Sequence, residues 1–137
     1  FGLLFCLLVL PASATWGREQ ADLPAFASKH LLATMRDHLE ALQEVTALVS
    51  KRHYEKAADL AEERLGMSSV EIHYEKHVGK YMPKGMRTLG TRMHEAASRF
   101  AETARNAAAE GESDKLFGAL ADVMAQCVAC HDSYRTR

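Results

Sequence analysis

Near the C-terminus of a 137-residue chain, Cys127-Val128-Ala129-Cys130-His131 places two thiols and an imidazole at i, i+3 and i+4. On a helix these positions project from one face. Two thiols so spaced can add across the two vinyl groups of one porphyrin as thioethers, while the imidazole rises beneath the iron as an axial ligand. The spacing therefore predicts one covalently attached c-type haem with His131 as proximal ligand. Other chemistries that use these residue types fit less well. A redox-active C-x-x-C needs a βαβ setting with its first thiol at a helix N-terminus, and nothing here alternates like a strand. A structural zinc site needs about four ligands, and there is no second pair. A plain disulfide would leave the adjacent His131 unexplained.

The third cysteine, Cys6, lies in an uncharged apolar run, residues 1–10. Pro11-Ala12-Ser13-Ala14 follows with an A-x-A cleavage pattern, so residues 1–14 read as a signal peptide. The run is too short to span a bilayer. No Met or basic segment precedes it, and the sequence as given is expected to start inside the signal peptide. Cleavage after Ala14 would leave an exported, periplasmic domain, residues 15–137, in which Cys127 and Cys130 are the sole cysteines. Export agrees with haem attachment, which takes place outside the bacterial inner membrane. The formal charge of −1 argues against nucleic acid or an anionic membrane as partner, and Lys51-Arg52-His53 reads as a solvated helix end.

The elements that must position the motif are helical throughout. Leu32, Met35, Leu39, Leu42, Thr46 and Val49 recur at threes and fours, the seam of a bundle helix over about 24–50. Tyr54, Ala58, Ala61 and Leu65 mark a second helix ended by Gly66. Ser68-Ser69 can cap a short stretch carrying Val70, His73 or Tyr74, and His77 or Val78. Residues 79–85, with Pro83, read as a break. The seam resumes as Met86, Gly90, Met93, Ala97, Phe100, Ala104 and Ala107 and closes at Gly111. Ser113-Asp114 then start a last helix with seam Leu116, Leu120, Val123, Cys127, Cys130 and Tyr134. The cysteines are in register with its core face. The fold expected is all-α, an antiparallel four-helix bundle enclosing the haem.

The string Cys127-x-x-Cys130-His131-x-x-Tyr134-Arg135, in the final helix of an exported all-helical chain, resembles class II cytochrome c, the cytochrome c′ group. The likeness covers the whole mature chain in architecture and is sharp over roughly the last ten residues. It implies a haem between the helices near one end of the bundle, with His131 as proximal ligand and Tyr134 and Arg135 beside it. One branch of the family fills the sixth position with a Met of the first helix and carries electrons to and from redox partner proteins. The other leaves it empty and binds NO or CO. Many members form homodimers through their first two helices.

Met35, at a seam position of the first helix, is the candidate sixth ligand, since a thioether stabilises ferrous iron. Leu31 stands where the family usually has an Arg. A Met at helical spacing is more often simply core, and Met86, Met93 and Met124 stand at or beside seams too. His30, His38 and His94 compete as ligands, with a surface or hydrogen-bonded histidine the commoner state for each. His73 and His77 stand at i, i+4, with no third ligand evident for a metal ion. The reading is an exported monohaem electron carrier, not an enzyme, ligated by His131 and Met35. Its alternative is a five-coordinate NO or CO binder. A peroxide-reducing enzyme ranks third, because it needs positioned distal proton donors.

Overall fold

The computed structural model describes residues 17–70, 78–111 and 113–136. Four long helices account for most of them: α1 (Ala25–Ser50), α2 (Tyr54–Arg64), α3 (Lys84–Glu110) and α4 (Asp114–Ser133). Short 3₁₀ turns at Met67–Ser69 and Gly79–Tyr81 lie between α2 and α3. Residues 1–14, and with them Cys6, lie outside the described residues, as do His73, Tyr74 and His77. Among the described residues, no helix is long and apolar enough to cross a membrane.

Proline sets both long starts. Pro24 and Pro83 precede α1 and α3, with φ of −55° and −51°, and their carbonyls accept Ser28 N–H at 2.9 Å and Arg87 N–H at 3.0 Å. The ring fixes φ near its helical value and removes a donor that a first turn leaves idle. Gly111 ends α3 in the left-handed region, φ 78°, its N–H donating to the Ala107 carbonyl, a conformation that costs glycine nothing.

The helices pack in chain order, α1 on α2, α2 on α3 and α3 on α4. Small residues make the centre tight: Ala57, Ala58 and Ala61 of α2 face Ala96, Ala97, Ala101 and Ala104 of α3, with Phe100, Leu116 and Val45 filling the space between. A second cluster, Ala21, Ala27, Leu31, Val78, Met82 and Met86, occupies the end of the bundle where α1 and α3 begin and α4 ends. By contrast, close backbone approach between α1 and α4 is scarce among the described residues. That side of the bundle is the open one.

The only strand pairing among the described residues is β1 (Glu19–Gln20) parallel to β2 (Tyr134–Arg135), with Glu19 opposite Tyr134. Two-residue strands carry no alternation to read, so this strap leaves no periodic signal.

Candidate functional site

The C-x-x-C-H motif occupies the last turns of α4. Cys127 continues the buried line of Leu116, Leu120 and Val123 and packs half-buried on the main core, its thiol 3.6 Å from the Val123 carbonyl. Cys130, one turn further, packs half-buried on the second cluster together with Met35 and Tyr134. The pair thus bridges the two apolar clusters, and both thiols are free. Burial pushes both thiols up, and for Cys130 the charge of Cys127 adds to the rise. His131 is exposed at the same end of the helix.

The strap fixes that end. Ala21 N–H donates to the Arg135 carbonyl at 2.9 Å, and Arg18 Nη1 to the His131 carbonyl at 3.4 Å. Residues 18–21 therefore hold the backbone on the C-terminal side of the motif, a supporting role that sequence reasoning missed. Tyr134 is half-buried with its hydroxyl close over Gly85 at the start of α3, and Arg135 is exposed in β2.

The expected seam of α1 is displaced by one residue. The buried line is Ala27, Leu31, Thr34, His38, Ala41, Val45 and Val49, whereas Leu32 and Leu39 are 42% and 68% exposed. An ion-pair cluster accompanies this rotation: Arg64 of α2 reaches Asp37 at 2.6 Å and Glu44 at 3.2 Å. Those carboxylates define the α2-facing flank of α1. Leu32, Met35, Leu39 and Leu42 consequently lie on the opposite flank, toward α4. The alanines and Thr34 on the true seam allow closer packing than the leucine stripe would. Met35 thus leaves the seam for its edge, yet still packs, half-buried, on the cluster that holds Cys130 and Tyr134.

The histidines separate. His30 is half-buried and its carbonyl accepts Thr34 Oγ1 at 3.2 Å. His94 is 1% exposed; its Nδ1 lies 2.7 Å from the Leu65 carbonyl and 3.3 Å from Ser69 Oγ. Since a carbonyl only accepts, Nδ1 carries the proton. His38, also buried, meets His94 edge to face. Both are therefore buried in the core, and His94 is hydrogen-bonded there. Among the described residues no three His, Cys, Asp or Glu side chains gather into a metal-binding group. A groove of about 870 Å³ runs between residues 21–25 and the outer side of α1, edged by Lys29, Leu32 and Arg36. None of the motif residues lines it.

No protein-family model matches this chain, and no match is found among the curated proteins or the solved structures.

Proposed function

We propose that the chain is an exported monohaem c-type cytochrome resembling class II cytochrome c, working in the periplasm as an electron carrier between redox proteins. The observation that carries this reading is the placement of the motif. Both thiols of Cys127-x-x-Cys130-His131 are free and turned inward at the end of α4, where Met35 of α1 packs on the same apolar cluster as Cys130.

The residues present fit a covalent haem c. Thiols at i and i+3 suit two thioethers, and the imidazole at i+4 suits the proximal position. The wall formed by Leu31, Val78, Met82 and Met86 is wholly apolar. The open α1–α4 side of the bundle accommodates a flat apolar ring without breaking a tight helix contact. When bound, haem supplies a one-electron couple at its iron.

The chain's own residues then anchor and tune that couple. Cys127 and Cys130 would fix the ring to α4, His131 would supply an imidazole ligand, and Met35 could offer a thioether from α1. The apolar cluster excludes water and disfavours the extra charge of the ferric state, which raises the potential. No bond to substrate is made or broken. One feature favours the alternative of a five-coordinate NO or CO binder: Met35 stands on the edge of α1's buried face rather than on its centre line, where it can shield a distal space without ligating.

Acid–acetone extraction of the denatured protein tests the attachment. Haem is expected to stay with the polypeptide, to be weakened in Cys127→Ser, and to be lost in the double variant Cys127→Ser/Cys130→Ser. Release of haem from the native sequence would end this reading.

A further inference from the structure

The last two helices are closed differently. α3 stops at Gly111, whose left-handed φ of 78° turns its N–H back to the Ala107 carbonyl. α4 has no such local stop. Tyr134 N–H makes the last helical bond, to the Cys130 carbonyl, and Tyr134 itself is already extended, with φ −129° and ψ 154°. Among the described residues Arg52 and Gly111 alone have positive φ, so no left-handed residue closes α4. The carbonyls after that of Cys130 are those a helix leaves without donors of its own, and the first of them belongs to His131.

A contact from the other end of the chain takes the place of the missing cap. Arg18 Nη1 donates to the His131 carbonyl at 3.4 Å, and its charge suits the negative end of the helix dipole. Glu19–Gln20 then pairs in parallel with Tyr134–Arg135, and Ala21 N–H donates to the Arg135 carbonyl at 2.9 Å. Ala21 is 2% exposed and belongs to the apolar cluster on which Cys130 and Tyr134 pack, so the strap is fastened into the bundle. Cys127 needs no such help, because it packs on the main core. His131 does need it: its side chain is exposed, and the direction of an exposed imidazole is set by the backbone that bears it.

We infer that Arg18 and Ala21 are positioning residues for His131. By holding the last turn of α4 against fraying, they keep the imidazole in one setting relative to the Cys130 thiol. An unstrapped last turn would open and close on its own, as helix ends do, and the imidazole would sample several directions. The hold is a property of the polypeptide; its consequence at iron rests on the haem reading, where the groups behind a ligand fix the direction of its bond to the metal.

Hydrogen exchange of the whole protein, with its haem where it carries one, reads the hold. The haem midpoint potential and ferric spectrum read its consequence. Arg18→Ala should speed exchange of the amides at 132–135 on the order of fivefold, the worth of one modest hydrogen bond, and leave those at 116–123 unchanged. Arg18→Lys should restore most of the protection. Ala21→Pro removes the donor to Arg135 without changing charge, so the shift of potential and the mixture of ferric spin states expected of it report geometry. Should Ala21→Pro fail to fold by far-UV circular dichroism, Arg18→Ala is compared with Arg135→Ala, which removes an equal charge from the same end and leaves the backbone bonds of the strap in place. A larger shift in Arg18→Ala carries the inference, and equal shifts overturn it as electrostatics alone. Unchanged exchange at 132–135 in the strap variants overturns it. So does faster exchange with an unmoved potential and spectrum, which would make the strap merely structural. A native chain that releases haem on acid–acetone extraction ends the haem reading and the role at iron with it. Exchange in that chain still shows whether the strap holds the turn, so the two failures are told apart.

Discussion

The rings of His38 and His94 meet edge to face, centroids 5.6 Å apart and planes at 86°, joining the diagonal helices α1 and α3 across the middle of the bundle. Alanines dominate the core on one side of this layer, and the two imidazoles supply bulk where it begins. His94 also ties the end of α2 to α3 through its bond to the Leu65 carbonyl, 2.7 Å. His94→Ala should therefore remove packing and a buried hydrogen bond together, lowering stability by about 3 kcal/mol. Urea unfolding of the whole protein measures this. A loss below about 1 kcal/mol would mean that the layer closes over the gap and that the tie contributes little.

At the other end of the core, a methyl group on Gly85 would collide with the Tyr134 hydroxyl. In an exposed helix Gly→Ala stabilises by up to about 1 kcal/mol. Here Gly85→Ala should instead destabilise by about 1 to 3 kcal/mol, as overpacking does. Because the collision is with the hydroxyl, Gly85→Ala/Tyr134→Phe should recover most of the loss. Urea midpoints of the three variants decide it, and an unrelieved double variant would place the strain elsewhere.

Glu62 gives a pH signature. Burial pushes its carboxyl up, but hydrogen bonds from Ser68 and Ser98 outweigh burial and hold it below its usual 4.5. The Ser68 bonds are 2.6 Å from Oγ and 3.1 Å from the backbone N–H. A carboxyl depressed in the folded state stabilises the fold above the unfolded-state pKa, and that contribution fades as pH falls through the folded value. Glu62→Gln should therefore be less stable than the native sequence at neutral pH, by under about 1 kcal/mol for so accessible a site. The gap should narrow below the usual carboxylate range. Thermal unfolding at a series of acid pH values tests it, and a constant gap would mean that Glu62 acts only through packing.

Helix positions were legible because Ala, Leu and Met recur at helical spacing and because Pro83, Gly66 and Gly111 punctuate them. The α4 face was legible too: Leu116, Leu120 and Val123 lead without a break to the cysteines. What periodicity could not settle was the rotation of α1. Its sequence holds two stripes one residue apart, Leu31-Thr34-His38-Ala41-Val45 and Leu32-Met35-Leu39-Leu42, and hydrophobicity alone favours the leucines. The structure takes the smaller residues for its centre, with Arg64 on Asp37 and Glu44 marking the α2 flank, a long-range relationship that no local window contains. The β1–β2 strap escaped notice for a similar reason, since its pairing joins residues at opposite ends of the domain.

The rotation of α1 makes Met35 the sharpest test of the proposed carrier. If its sulfur ligates the iron, the native ferric protein should be low-spin and show the near-infrared charge-transfer band of Met–His haem. Met35→Ala should erase that band, open the site to CO and NO, and lower stability by roughly 1 to 2 kcal/mol, about half the cost of a fully buried side chain. The stability loss alone decides nothing, because a Met packed on the second cluster would show it without touching iron. Spectroscopy decides. A native protein already high-spin, binding CO at once, would exclude Met35 and favour the gas binder. A low-spin spectrum that survives Met35→Ala would direct attention to His30, His38 or His94. His131→Ala is the control: with both thioethers intact, haem should remain attached while spin state and potential change.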